Sequence, residues 1–520
     1  MESFFQEVSL FWTAFVSTLT LMKLSVVMSA TIMGIVVGAI PGLTATMALA
    51  LLINLTYGME LGVAIAFLLG VYVGAVMGGC NAAIMINIPG TPSAAATALD
   101  GFILAKRGEG GIAIGTGVIA SFIGMMISIT LLIFLTPFLY KIALRFGQWE
   151  YFLLSVFGIM ICGNLSTGKD PIKGWVVGFL GFFTAMIGLD QIYAYPRFTF
   201  GSLQLKAGIT LIPALIGVFG ISEILIVLQE QVPYQIRGKI GKIVPSRKVI
   251  LSLIPTAIRS GLIGVGIGAI PGAGEDIGAW VAYDIGKRRS KHGHLYGTGC
   301  LEGVAAAETA NNAVVGGAMI PLLTLAVPGS PPAAMFLAAI WLHGIRPGPM
   351  LPVEQPGFLY VVAAMLFLAS ISMLIWGLLL ARPMAWILKI NREILMPIIV
   401  PLTVIGAFAG GVRSFDIIVM FVFGMIGYIL RQLDYPMAPL VLGIILGPMA
   451  DISFRQALMQ SRGSLVPLLS RPIGLILITA IALIAFSGVR RAAEYSKAQN
   501  AHLADSKPDE DTRNQSNTLT

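Results

Sequence analysis

The sequence predicts an all-α polytopic membrane protein with inverted-topology repeats built from Pro-Gly-broken, re-entrant helical hairpins. Three observations carry this. Of 520 residues, 57% are hydrophobic and only 11% charged, against about 25% charged in soluble domains. Several windows exceed the roughly 18 apolar residues needed to span a bilayer. One pattern also occurs twice. GAIPGLTATM at 38–47 returns as GAIPGAGEDI at 268–277, and IPGTPSAA at 88–95 returns as VPGSPPAA at 327–334. GAVMGG at 74–79 matches AVVGG at 313–317, and the longer spacing of the second copy is taken up by a basic insert around Lys287–Lys291.

The Pro-Gly pairs matter because of backbone hydrogen bonds. Proline removes a donor and crowds the preceding turn, and glycine tolerates conformations that other residues avoid. In hydrocarbon an unsatisfied backbone group costs several kcal/mol, so a broken helix at membrane depth must be buried in protein or line a wet cavity. Its freed helix N-termini suit anions, and its freed carbonyls suit small cations. A single Pro-Gly reads as a kinked helix. Four in a matched pattern read as a binding site.

In chain order, residues 1–23 form an N-terminal helix and 24–110 the first transport repeat. Within that repeat, 24–57 is a helix-break-helix element, 60–79 crosses, and 82–105 holds the second break. Scaffold helices and a basic linker occupy 111–249; these middle segments lack the repeat signatures. The second transport repeat spans 250–346. Further scaffold helices occupy 347–488, ending in a shorter apolar piece at 437–449 and a last segment at 474–488. The remainder, 489–520, is polar and predicted disordered. The linker carries Arg237, Lys239, Lys242, Arg247 and Lys248, and a later loop carries Lys287, Arg288, Arg289 and Lys291. The positive-inside bias places both loops in the cytoplasm. That requires an even number of crossings between them, or a re-entrant hairpin with Pro271-Gly272 at its tip. Lys106 and Arg107 place the end of the first repeat in the cytoplasm, whereas the charge-poor loop 344–356 places the end of the second outside. Arg490 and Arg491 argue for a cytoplasmic C-terminus.

Ionisable groups at membrane depth are expensive and signal function. Glu275 and Asp276 follow the Pro271-Gly272 break directly, and Glu308 lies in AAAETANNAVVGG beside Asn311 and Asn312. With Asn81 these are hard oxygen ligands suited to a coupling Na+ or H+; the competing roles are a helix cap for Glu275 and Asp276 and a hydrogen-bonded pair with the asparagines for Glu308. The candidate substrate positions are Gly42, Thr44, Thr46, Asn87, Gly90, Thr91, Ser93, Gly272, Gly274, Gly329 and Ser330. Hydroxyls, amides and backbone N–H groups there can hold a carboxylate without a full countercharge; interhelical hydrogen bonding is the alternative.

Other chemistry is argued against. The net charge of +8 sits in short loops, where it orients helices rather than binding nucleic acid. Cys80, Cys162 and Cys300 lack metal spacing and the four histidines do not cluster, so no metal beyond Na+ is expected. GNLSTGK at 163–169 falls short of a phosphate loop: Asp170 follows it, and no strand precedes it. No constellation reads as catalytic, so the chain is not expected to be an enzyme or to carry a cofactor. MESFFQEV at the start lacks a basic region for a cleaved signal.

These motifs also carry a family resemblance. GAIPGLTATMALALL at 38–52, NIPGTPSAAATALDG at 87–101, GAIPGAGEDIGAW at 268–280 and EGVAAAETANNAVVGGAMIPLLTLAVPGSP at 302–331 resemble the large membrane subunit of the tripartite tricarboxylate transporters, the TctA family, over roughly 1–490. The resemblance implies a carrier in the bacterial inner membrane, driven by a sodium or proton gradient. It implies two partners: a small, TctB-like membrane subunit and a periplasmic, TctC-like solute-binding protein that delivers citrate or related acids. A homodimer stays an open option. An elevator-type mechanism suits paired broken hairpins. The alternatives are an anion channel, which also uses broken helices, and a non-transport membrane scaffold subunit.

Overall fold

The computed structural model describes residues 2–166, 170–229, 241–388, 392–409 and 411–505. Arg237 and Lys239 of the linker, residues 167–169 of the GNLSTGK run and the tail 506–520 lie outside the described residues. Ten helices within the described residues are long and apolar enough to cross a membrane. The chain is an all-α polytopic membrane protein.

The repeat appears as the same sequence of elements twice. Helix α1 (Glu2–Thr18) precedes the first copy. That copy contains α2 (Leu21–Ala39), α3 (Ala45–Leu52), α4 (Leu61–Ile86), α5 (Ala94–Lys106) and α6 (Gly110–Ala143). Next come α7 (Gln148–Ser166), α8 (Pro171–Ala185) and α9 (Leu211–Gln229). The second copy contains α10 (Arg247–Gly268), α11 (Gly274–Arg289), α12 (Leu301–Leu325), α13 (Pro331–Leu342) and α14 (Phe358–Ile387). The chain ends with α15 (Arg392–Ala409), α16 (Ser414–Gln432), α17 (Met437–Gln460) and α18 (Pro472–Asp505).

Both long central helices stop in the same way. α4 ends at Asn87 with φ 58°, and α12 ends at Ala326, also with φ 58°. A left-handed residue ends a helix and reverses the chain. After each reversal the chain runs back along its own helix. A side-chain carbon on Gly90 would meet Gly79 Cα at 3.0 Å and fall on Gly38 O; one on Gly329 would meet Ala318 Cα at 2.8 Å and fall on Gly268 O. The short helix then starts at depth. Glycine also lets α2 cross α4 and α10 cross α12 at backbone distance. Gly34 abuts Val71 O, and Gly264 abuts Ala310 O at the matching place. Lipid offers no hydrophobic drive for helices to associate, so such close contact supplies the packing energy.

The two copies enter the membrane from opposite faces. One face carries the basic loops: Arg107 Nη2 donates to Thr298 O at 2.7 Å, and Gly111 lies against Lys242. The α10–α11 pair opens onto this face, where Glu302 accepts from Thr256 (2.5 Å) and Ser290 (2.7 Å). Pro271-Gly272 is therefore the tip of a re-entrant hairpin, the second of the two routes that the charge pattern permits. The α2–α3 pair opens onto the other face, where Lys23 pairs with Glu60 at 3.7 Å and His343 meets Thr56 at 3.1 Å.

Three expectations need correction. The apolar piece at 437–449 belongs to a 24-residue helix running to Gln460, because Pro448 is accommodated inside it. Residues 489–505, expected to be disordered, continue α18. Arg490–Glu494, four residues apart at 2.9 Å, supports that extension. The middle segments are also part of the duplication. α6 to α9 correspond to α14 to α17, and the last helices are exchanged: α7 and α8 pack on α17, while α15 and α16 pack on α9. The crossings match in detail. A carbon on Gly443 would fall on Gly178 O and 2.8 Å from Phe182 N; one on Gly217 would fall on Met420 O and 2.9 Å from Gly424 N. No Pro-Gly signature marks these segments, since their helices pass unbroken through the crossing.

The loop between α8 and α9 is pinned by charge. Its short strands β1 (Gly188–Leu189) and β2 (Pro196–Arg197) pair antiparallel. Asp190 bonds Arg455, and Asp451 bonds both Arg455 (2.6 Å) and Arg197 (3.1 Å). The Arg455 guanidinium holds the Asp190 carboxyl well below the usual carboxylate range.

Candidate substrate and cation site

The four short helices of the two repeats all begin at one cavity. It measures about 360 Å³ and is lined by Thr44–Thr46, Thr91–Ser93, Gly272–Ile277 and Pro331–Pro332, the starts of α3, α5, α11 and α13. Each start carries a partial positive charge, although Pro92, Pro331 and Pro332 have no N–H to offer. Thr44 caps α3 by accepting from Met47 N at 3.2 Å, and Ser330 caps α13 by accepting from Ala333 N at 3.3 Å. The remaining wall comes from the surrounding bundles: Leu165 and Ser166 of α7, Phe219 of α9, and Arg431 with Tyr435–Ala438 between α16 and α17. Phe219 sits in a π-helical stretch, Ile216–Ile221, a distortion often found at functional sites.

Polar bonds across the repeats hold this junction. Tyr72, fully buried on α4, donates to Glu275 Oε1 at 2.5 Å and lies 2.8 Å from Ser330 Oγ. The Ser93 backbone amide bonds Asp276. Gly272 N and Gly274 N donate to Pro328 O (3.3 Å) and Gly329 O (3.1 Å), joining the two breaks of the second copy. Gly272 and Gly274 have φ of 68° and 71°, which glycine alone adopts without strain. Replacing Tyr72 by Phe leaves the buried Glu275 short of a donor, a loss of about 1–3 kcal/mol. The expected result is a lower thermal midpoint in detergent; a midpoint equal to wild type would show that the hydroxyl does nothing there.

A second polar centre lies deeper. Glu308 is fully buried on α12 and accepts from Thr97 at 2.5 Å, Ser121 at 3.3 Å and Asn311 at 3.5 Å, from three different helices. Cys80 is a further hydrogen-bond partner. On α4 and α12, Asn81 Oδ1, Asn311 Oδ1, Asn312 Oδ1 and Thr309 Oγ1 are also buried without a partner. Orphaned buried oxygens call for an explanation.

The model of the Tripartite tricarboxylate transporter TctA family matches residues 24–442, a span that holds both broken repeats and every residue named in this site. The chain belongs to the TctA family. It is 33% identical over 443 residues to an "Uncharacterized 52.8 kDa protein in TAR-I ttuC' 3'region" of Agrobacterium vitis, covering 85% of this chain and 88% of that protein. It is 34% identical over 207 residues to an "Uncharacterized protein in TAR-II ttuC' 3'region" of the same organism, covering 40% of this chain and 86% of that protein. No solved structure matches.

Set against this TctA-family fold, the candidate residues separate into groups. Thr44, Thr46, Thr91, Ser93, Gly272 and Gly274 line the cavity, together with Glu275 and Asp276. Ser330 stands just behind it, bonded to Tyr72. Gly42, Asn87, Gly90 and Gly329 do not line it. Asn87 is the left-handed cap of α4, Gly90 and Gly329 are close-approach points, and Gly42 (φ 89°) packs on Val227 and Glu223. The six coupling candidates divide as well. Glu275 and Asp276 face the cavity, whereas Glu308 and Asn311 meet in the deeper centre; Asn312 donates to Met373 Sδ on α14, and Asn81 is buried on α4. Tyr72, Thr97, Ser121 and Arg431 were missed. The first three are single hydroxyls in apolar helices, a signal present in the sequence; Arg431 reads as an ordinary loop cation.

Proposed function

We propose that this chain is the large membrane subunit of a binding-protein-dependent system that imports tricarboxylates or related organic acids across the bacterial inner membrane, driven by Na+ or H+. The observation that supports it most is the convergence of four helix N-termini on one cavity. Their partial positive charge, with the hydroxyls of Thr44, Thr46, Thr91 and Ser93, suits carboxylate oxygens. Glu275 and Asp276 in the same wall would repel an anion. A bound cation or proton relieves that repulsion, so cargo and cation favour each other. Glu275 and Asp276, with the deeper centre at Glu308, are the proposed coupling-ion groups.

The architecture suits a movement of one part against the other. The broken-helix body packs against the two exchanged bundles, and cavities lie along that seam on both faces. The substrate cavity reaches the basic-face ends of α7 and α16. The other, about 530 Å³, lies between Ala326, Trp341, residues 185–191 and Ile444–Met449. An elevator-like shift of the body against the bundles would expose the substrate site to each face in turn. A TctB-like subunit and a TctC-like binding protein complete the system.

The test is uptake by the reconstituted three-part complex across a panel of carboxylates, with sodium and pH varied separately. Saturable uptake with counterflow exchange is expected. Non-saturating flux without counterflow would make the chain a channel.

A further inference from the structure

The substrate cavity poses an electrostatic problem. Two of its described lining residues are acids, Glu275 and Asp276, and a single one is a cation, Arg431. Helix N-termini contribute about half a charge each at most. An acid with two or three carboxylates therefore needs the arginine, yet Arg431 is already engaged. Its Nη1 bonds Glu223 Oε2, in a pair whose side chains are 25% and 13% exposed. The other oxygen of Glu223 lies 3.6 Å from where a side-chain carbon on Gly42 would sit. Glu223 thus bonds the arginine of the cavity wall with one oxygen and faces the break between α2 and α3 with the other.

We propose that Glu223 and a carboxylate of the substrate compete for Arg431, so that the arginine is a substrate-binding residue and Glu223 is its built-in competitor. This rests on the cavity being the substrate site. A planar guanidinium bonds one carboxylate as readily as another through paired N–H donors, which a lysine cannot reproduce. Exchange keeps the cation satisfied throughout, and Glu223 is the partner that gives up its counterion. The exchange also frees one side of the Glu223 carboxylate while its other oxygen still faces the α2–α3 break. Cargo binding is thereby relayed to the first repeat from the helix bundle that surrounds it.

The two partners should therefore respond in opposite directions. Measured as uptake by the full complex in proteoliposomes, Arg431→Gln should raise KM for the transported acid by about tenfold or more, with Arg431→Lys between it and wild type. Glu223→Gln, which keeps the shape and removes the competing charge, should lower KM several-fold. A pair that only braces α9 against α16 would give losses of the same sign in both variants, or changes in kcat with KM unmoved. Either result overturns the proposal while leaving wild-type uptake, and hence the transport function, intact. Wild-type complex that takes up no acid of the panel would fail the functional reading first, and this inference with it.

Discussion

Glu308→Gln should abolish cation-coupled uptake while the protein still inserts and stays folded. The substitution keeps the volume and an acceptor oxygen for the Thr97 and Ser121 hydroxyls, which can turn to suit it. Asn311 loses only a long bond of 3.5 Å. The structural penalty is therefore about 1 kcal/mol. The loss of charge acts on a different scale. A monovalent cation about 4 Å from a carboxylate gains about 4 kcal/mol at an effective dielectric of 20, close to a thousandfold in affinity. The amide oxygens of Asn81, Asn311 and Asn312 are neutral and cannot replace that term. Uptake measured with sodium and pH stepped independently decides it: dependence on either ion that survives in the variant would remove Glu308 from coupling. Protein yield and thermal midpoint near wild type are part of the expected result, since a misfolded variant would lose uptake for an uninformative reason.

What the sequence disclosed and what it hid divide along physical lines. A broken helix in lipid requires proline, glycine and polar groups in a compact run, so the breaks near Pro41, Pro89, Pro271 and Pro328 were visible as local words. The charged loops beside them were equally local, and the re-entrant path of α10 and α11 was one of the two routes that the basic residues around Lys242 and Lys287 permitted. The site was legible only in part. Thr44, Ser93 and Gly274 were found because they sit inside those words. Tyr72 and Arg431 were not, because each reaches the site from outside those words; Tyr72 and its partner Glu275 are 203 positions apart. The exchange of α9 and α17 between bundles was hidden for a related reason. A helix that crosses its partner at one glycine needs no special run of residues, so Gly217 and Gly443 resemble any of the 60 glycines. Glycine spelling also failed to separate packing from binding: Gly90 and Gly274 look alike as text, yet one is wedged against backbone and the other lines the cavity.

That last distinction gives a second large effect. Gly90→Ala and Gly329→Ala should each prevent the folded carrier from accumulating, and to a similar degree. Ordinary overpacking of a core costs about 1–3 kcal/mol, because side chains can shift. Here the added methyl meets the carbonyl oxygens of Gly38 and Gly268, with Gly79 Cα at 3.0 Å and Ala318 Cα at 2.8 Å behind. Those atoms belong to helices locked against each other at Gly34–Val71 and Gly264–Ala310, so none can yield without opening a crossing. The penalty should therefore reach or exceed the top of that range. Gly266→Ala is the control, since that position on α10 has nothing within 4 Å and alanine favours helix over glycine by about 1 kcal/mol. Monodisperse protein recovered in detergent, with its thermal midpoint, reads all three. Equal losses at 90 and 329 beside an unaffected 266 would mean that both returning segments must lie against backbone for the short helices to start at the cavity. Tolerance at both positions would show that the segments can float, and that the four helix starts are not held together by this packing.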